Sequence, residues 1–461
     1  MEIGTTNFEG VECTYARDWK TIYLSPQNQS DFFRLDLSER RGFLIKLINN
    51  HDITVAYISN VEYHMMNSYK LNAEFLFKYT LSDPNEPLNL TGMKLTGNEI
   101  DAIYSPVWHF YRATNKGSIK HEADLLYASE KVESFRITIE SKPILIEFYI
   151  GDILSEGITG DNKLHTQIII SFDKTDDILF AYKVYAIVVR FLQMLLYKQE
   201  VGFQYIEIFR STEEYEKSLL GHLWTEKNSS ERIESLENYY LQPFYQKIMQ
   251  TLANDEKSYL KHLPQKQQAF PRYEAIDILT AFSAFEYECH MDKATFIQKA
   301  DCFSEVKKES EEFFNILETK YSDEKYTGFF KSMKEKIKTV GNEYGEKQRL
   351  INAYNICKNV LSSASTYSIP SDITKAAERI VEMRNKAIHH SYFPSIDDYD
   401  NKCIRLLHTI CYAMFLRRVA IPDYIAELTL DDVFHCNGKI FSIPITPTPR
   451  TVDPNPHSTD V

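Results

Sequence analysis

The stretch Asp372–Pro394, DITKAAERIVEMRNKAIHHSYFP, is the part of the chain from which the rest is read. Ile373, Ala377, Ile380 and Ile388 recur at helical intervals, which predicts one apolar stripe along a helix that packs against neighbours. Arg384 falls on the same stripe. A guanidinium keeps its charge and is costly to desolvate unless carboxylate or phosphate oxygens meet it, so this position demands a partner. Asn385 and His389 stand one turn apart on a shared face, where the carboxamide reaches the imidazole or the same ligand. These side chains suit phosphate chemistry: a permanent planar cation for a phosphoryl group, and an imidazole with an ordinary pKa of about 6.5 for moving a proton near neutrality.

Outward from this helix the chain reads as helical on both sides. The linker SASTYSIP precedes it, with Ser371 or Asp372 as its N-cap. Beyond Pro394, DDYDNKCIRLLHTICYAMFLRRVAIP predicts a long amphipathic helix with Cys403, Leu407, Cys411 and Phe415 as its apolar row. A metal cluster of Cys403, His408 and Cys411 is the lesser reading of that row, because buried cysteines behave as small hydrophobes. Upstream, YEAIDILTAFSAFEYECHM after Pro271 aligns Ile278, Phe282, Phe285 and Cys289 on one face. Charge-dense helices around EEFFNILETKY and FFKSMKEKIKTV follow, and another helix spans 347–362. The C-terminal remainder holds a hairpin turning at Asn437–Gly438 and a proline-rich tail.

The first 172 residues read as β-rich. FLIKLI (43–48), ITVAYI (53–58), AEFLFKYTL (73–81), FRITI (135–139), ILIEFYI (144–150) and QIIISF (167–172) are short, β-branched or aromatic, and separated by polar turns. Period-two alternation predicts one buried face, hence a sandwich or a strongly curved antiparallel sheet. Asp176–Gln199 predicts a covering helix and FQYIEIF (203–209) a further strand. The expected class is therefore α+β: a β-rich, sandwich-like domain over 1–210, a helical connector over 211–268, an all-α bundle over 269–428, and the hairpin and tail over 429–461. No Walker loop, GxGxxG, HExxH or GxSxG signature occurs in the β-rich half, which reads by elimination as a recognition or regulatory unit.

The chain has 461 residues and a formal net charge of -13, which by itself counts against a nucleic-acid binder. From Lys325 to Arg418, however, 16 Lys and Arg stand against 9 Asp and Glu. That excess is either a solvated helical surface or an electrostatic footprint for RNA beside Arg384. Seven scattered cysteines without a CxxC suit reduced thiols in the cytoplasm, and MEIGTTNFEGVEC lacks the blocks of a signal peptide. The apolar run Leu179–Tyr197 is interrupted by Lys183, Arg190 and Gln193, which favours a buried helix over a membrane span.

Arg384-Asn385-Lys386-Ala387-Ile388-His389 resembles the Arg-polar-x-x-x-His catalytic motif of the HEPN superfamily, and the layout of the chain is similar to the Apea-like HEPN proteins of bacterial phage defence. The resemblance implies a HEPN helical bundle that joins as a homodimer with both motifs across one cleft. It implies an endoribonuclease that leaves a 2′,3′-cyclic phosphate and a 5′-hydroxyl. It also implies phage infection as a trigger received by the N-terminal domain, with cellular RNA such as tRNA as the target in abortive infection. RNA supplies its own 2′-hydroxyl nucleophile, so no metal or other cofactor is expected. His389 would be the acid or base, Arg384 the clamp on non-bridging oxygens, and Asn385 the group that holds imidazole or phosphate in register. By the same resemblance Glu286 would orient or neutralise Arg384, unless it is a surface carboxylate. His390 gives the longer spacing that the superfamily tolerates, although it points about 100° from His389 on an ideal helix. Lys386 and Tyr392 are candidate RNA contacts. The competing readings are a non-catalytic HEPN scaffold, a ligand-binding β domain with a dimerising bundle, and a core in which Arg384 and Glu286 form a structural ion pair.

Overall fold

The computed structural model of the protein describes residues 1–35, 37, 40–49, 52–64, 68–81, 86–106, 130–152, 164–203, 205–213, 215–225, 238–255, 260–265, 273–297, 304–339, 343–361, 369–389 and 395–434. A β-rich N-terminal half is followed by helices. The strands are β1 (Glu2–Phe8), β2 (Val11–Asp18), β3 (Thr21–Pro26), β4 (Phe43–Asn49), β5 (Asp52–His64), β6 (Ser68–Thr80), β7 (Leu90–Thr96), β8 (Glu130–Ile139), β9 (Lys142–Asp152), β10 (Leu164–Thr175), β11 (Tyr205–Arg210) and β12 (Ser218–Trp224). They form one antiparallel sheet in the order β3-β2-β1-β4-β5-β6-β12-β11-β7-β10-β9-β8, and an additional β3–β6 pairing closes the first six strands into a barrel. The sandwich expectation is thereby corrected: instead of two sheets facing one another, a single strongly curved sheet closes at one end and stays open at the other.

The barrel is built from tight hairpins and fills its own interior. Phe8 faces Val11 across a two-residue turn in which Glu9 and Gly10 both adopt left-handed dihedrals, the geometry whose twist matches the flanking strands. Inward residues, among them Tyr15, Ile22, Leu24, Leu47, Ile58 and Leu71, form a separate buried cluster. The short helix α1 (Gln29–Leu35) adds Phe32 and Leu35 to it, with Phe32 stacked on Tyr69 at 4.5 Å.

The open half of the sheet wraps α3 (Ile178–Leu196), which follows the one-turn helix α2 (Asn98–Ile103) in chain order. Asp177 caps α3 by accepting from the Phe180 amide at 3.1 Å. Tyr197 ends it in the left-handed region at φ 50°. This helix is long and apolar enough to cross a membrane by length and composition, yet Val184, Ile187, Val188, Phe191, Leu192 and Leu195 are buried within the fold. The segment expected to be an all-helical connector supplies strand β12 before turning helical at α4 (Tyr245–Asn254). Gln246 and Gln250 of α4 satisfy the outer edge of β8: they donate to the carbonyls of Arg136 and Thr138, and Gln250 accepts from the Thr138 amide. An otherwise open strand edge is covered in this way.

The remaining helices are α5 (Ala275–Met291), α6 (Lys293–Phe296), α7 (Ser304–Lys320), α8 (Glu324–Thr339), α9 (Glu346–Cys357), α10 (Ile373–His389), α11 (Asp398–Arg418) and α12 (Asp423–Phe434). The predicted face of α5, Ile278, Phe282, Phe285 and Cys289, is buried, as are Cys403, Leu407, Cys411 and Phe415 of α11. One continuous buried cluster runs from the open half of the sheet through α3 into α5, α10 and α11. At the junction the Tyr412 hydroxyl donates to the Met194 carbonyl at 2.9 Å, and the Tyr197 hydroxyl lies 2.9 Å from Nδ1 of His408. The predicted hairpin at Asn437–Gly438 and the tail lie outside the described residues.

His408 is fully enclosed: its ring stacks on Tyr273 at 5.0 Å, and its Nε2 has no hydrogen-bond partner among the described residues. Burial, with His262 alongside, holds the imidazole well below its usual pKa. The unfolded chain therefore binds a proton below about pH 6.5 that the fold refuses, so this residue removes stability as pH falls through that value. Urea unfolding at pH 7.5, 6.5 and 5.5 is expected to show stability declining by up to about 1.4 kcal/mol per pH unit more in the wild type than in His408→Gln. Equal slopes in the two proteins would count against a buried neutral imidazole.

Candidate active site

Helix α10 starts at Asp372, whose carboxylate accepts from the Lys375 amide at 3.1 Å, so the second of the two N-cap candidates is the cap. Its buried seam consists of Ala376, Ala377, Ile380 and Met383, with Ile373 and Ala387 partly buried. Ile388 is 49 % exposed and does not belong to the seam, because it lies at the helix's end beyond the packed neighbours. Arg384 does: at about 100° per residue its direction falls between those of Ala377 and Ile380. Being near the C-terminal end, it sits where the seam opens, with its side chain 25 % exposed.

Three contacts hold the Arg384 guanidinium. It lies over the Phe282 ring of α5, 5.3 Å from the centroid. Nη1 donates to Oδ1 of Asn385 at 3.0 Å and stands 3.4 Å from Oε1 of Glu346, the first residue of α9. The carboxylate partner thus comes from α9 and not from α5. No ion pair joins Glu286 to Arg384 among the described residues, and the expected orienting role of Glu286 is corrected accordingly. Glu286 is half-buried on α5, and its carbonyl lies 2.7 Å from Nδ1 of His290. A 3.4 Å pair at this exposure is worth at most about 1 kcal/mol, so an incoming anion can displace Glu346 at little cost.

His389 is the last helical residue of α10, one turn beyond Asn385, while His390 and Tyr392 lie outside the described residues. The Asn385 carboxamide is exposed and engaged by the neighbouring guanidinium. Lys386 is tied to Glu382 at 2.6 Å, and that carboxyl, held below its usual pKa by Lys386 and then Arg379, is shared with Arg379. Many of the cations between 325 and 418 are similarly engaged: Lys334 pairs with Glu318, Lys347 with Glu378, Arg349 with Glu343 and Arg418 with Glu288. Glu318 and Glu288 lie outside 325–418, so part of the basic excess of that region is matched by acids from neighbouring segments.

Arg379, one and a half turns before Arg384, has a different role. It grips Asp400 of α11 through Nε at 2.7 Å and Nη2 at 3.0 Å, and the Asp400 side chain is only 3 % exposed. Asp400 also completes the capping box of α11 with Asp397. Sequence reading missed this pair and Glu346, although Asp397 and Asp400 at the head of a helix are a recognisable capping pattern.

Among the described residues, the apolar row of α11 is not arranged to hold a metal. His408 is occupied by Tyr197, the Cys411 thiol points at the Ala281 carbonyl at 3.5 Å, and burial pushes the Cys403 thiol up to about 12. No group of three His, Cys, Asp or Glu side chains placed to hold a metal occurs among the described residues.

No family model matches the chain, and neither the curated proteins nor the solved structures include a match to it.

Removing the Arg379 side chain strands the buried Asp400 carboxylate, so Arg379→Met is expected to cost on the order of 3 kcal/mol in urea unfolding. A change of less than about 0.5 kcal/mol would show that the pair does not anchor α10 to α11.

Proposed function

We propose that this protein is a metal-independent, HEPN-type endoribonuclease acting in the cytoplasm, in which Arg384, Asn385 and His389 promote attack by the RNA's own 2′-hydroxyl at a site completed by a second copy of the chain. The observation that carries the reading is the Arg384 guanidinium at the open end of an otherwise apolar seam, with Phe282 beneath it and one weak carboxylate partner. A permanent cation retained there is chemically suited to the oxygens of a phosphodiester.

Cleavage needs three acts: removal of the 2′-hydroxyl proton, stabilisation of the crowded phosphorane, and protonation of the departing 5′-oxygen. Arg384 would displace Glu346 onto non-bridging oxygens as their charge grows. His389 would move one proton, and the partner copy's equivalent would move the other, since one motif has one histidine at the shorter spacing. Asn385, already bonded to Arg384, would keep the guanidinium plane in register. His390 remains the candidate at the longer spacing, and Lys386 and Tyr392 the candidates for backbone contacts to RNA. The products would be a 2′,3′-cyclic phosphate and a 5′-hydroxyl. In this reading the β-rich half receives a signal of phage infection and RNA cleavage, of tRNA among other candidates, halts the infected cell.

The Arg384–Glu346 contact also favours a second reading, a non-catalytic scaffold in which that pair fastens α10 to α9. One assay separates the two. Cellular RNA incubated with the full chain in EDTA is expected to be cut to 2′,3′-cyclic phosphate ends, and Arg384→Ala or His389→Ala to lower the rate by about a hundredfold or more. Cutting that persists in both variants, or that EDTA abolishes, contradicts the mechanism; no cutting by a folded wild-type dimer on any cellular RNA favours the scaffold.

A further inference from the structure

The sheet forks at β6. Along one edge β6 pairs with β3 through Tyr69–Asn72 and with β12 through Leu76–Tyr79, which leaves Ala73–Phe75 between the two partners. On its other edge β5 breaks register around Ile58 and Ser59. A strand that serves both the closed barrel and the open sheet must bend, and bulges of this kind often adjoin binding sites. At the fork lies a cavity of about 630 Å³, within the range of small-molecule sites. The barrel contributes Lys20, Ser59 and Glu74; α3 contributes Tyr182, Tyr185, Arg190 and Gln193; the segment after α3 contributes Gln199 and Glu200.

The walls are fixed before any ligand arrives. Tyr182 stacks on Phe75 at 4.1 Å and donates to Glu74 at 2.7 Å. The amides of Gln199 and Glu200 donate to the carbonyls of Pro264 and Gln265, which locks the floor. Three carboxamides are oriented by their nitrogens: Gln193 donates to the Gln199 carbonyl at 2.7 Å, Gln199 to the Lys261 carbonyl at 2.8 Å, and Gln265 to Oε1 of Gln199 at 3.2 Å. Gln193 and Gln265 each commit one N–H to the protein and line the cavity with their oxygens and second N–H groups, beside the carboxylates of Glu74 and Glu200. Lys20 and Arg190 balance those two carboxylates in formal charge.

The rim carries a second mark. Trp19 and Trp224, which flank the lining residues Lys20 and Thr225, meet edge to face at 5.7 Å and are 41 % and 45 % exposed. Trp19 holds a left-handed backbone at φ 52° because it is the first residue of the two-residue turn between Asp18 and Thr21, and that hairpin geometry places its ring at the rim.

We propose that this groove binds an uncharged ring compound rich in O–H and N–H donors, of the chemistry shared by nucleosides and short saccharides. The ring lies against Tyr182, and its donors meet Glu74, Glu200, Gln193 and Gln265. Lys20 and Arg190 are offset by Glu74 and Glu200, so the groove has no net positive charge to offset the desolvation of a phosphate, and a phosphorylated form binds more weakly. Binding here is independent of whether the helical half cleaves RNA.

The experiment is calorimetric titration of the full chain, with tryptophan emission followed in parallel. One arm uses adenosine, guanosine, cytidine and uridine; the other uses glucose, N-acetylglucosamine and maltose. Saturable binding in one arm is expected, weakened about tenfold or more by Glu200→Ala, by Tyr182→Ala, and by a phosphate on the ligand. Circular dichroism and melting temperature of Glu200→Ala should match the wild type, since that side chain is exposed. No binding in either arm at millimolar concentration, equal binding by the folded Glu200→Ala protein, or tighter binding of the phosphorylated form would each overturn the proposal.

Discussion

The open half of the sheet and the helices packed beyond it depend on the burial of α3. Its Val184, Ile187, Val188, Phe191, Leu192 and Leu195 are nearly inaccessible, and each such side chain is worth about 1.5–3 kcal/mol relative to exposure. A helix apolar on so many sides cannot lie on a surface; it needs a sheet on one flank and helices on the other. The curved sheet supplies the first, and α11 the second, through the Tyr412–Met194 and Tyr197–His408 contacts. The consequence is positional. The flank of α3 that carries Tyr182 and Gln193 walls the groove at the sheet's fork, while its C-terminal end supports α11, on which α10 and its arginines are packed.

Two arginines on α10 illustrate how one residue type is put to two uses. Arg379 meets a buried carboxylate with both prongs of its fork, so its charge is consumed in joining two helices. Arg384 has an aromatic face beneath it, a neighbouring carboxamide and a 3.4 Å carboxylate at its side. None of these satisfies five N–H donors in the way a bidentate carboxylate or a phosphate would. The contrast between a spent guanidinium and an incompletely satisfied one, rather than the spacing of the motif, is the strongest physical reason to look for an anion at this end of the helix.

The sequence made some of this legible and hid the rest for identifiable reasons. Strands β4, β5, β6, β8, β9 and β10 announced themselves through β-branched and aromatic alternation, and α3, α5, α10 and α11 through three-and-four spacing. Strands β1 and β2, EIGTTNF and VECTYARD, have polar outer faces and no dense apolar run, so they were invisible, and with them the barrel. Closure itself rests on Thr21 pairing with Asn72, a contact that no local pattern encodes. At the candidate site, Arg384 was readable as a charge on an apolar stripe. Its partner Glu346 was not, because only packing of α9 against α10 brings the two together.

The central claim is that the Arg384 charge is kept for an incoming phosphate and not for the fold, and thermal unfolding of Arg384→Met tests it most directly. The methionine retains the apolar stem over Phe282 and removes only the cation. The account predicts a melting temperature within about 2 °C of the wild type. A fall of about 8 °C or more would make Arg384 a structural member of the bundle and contradict the account.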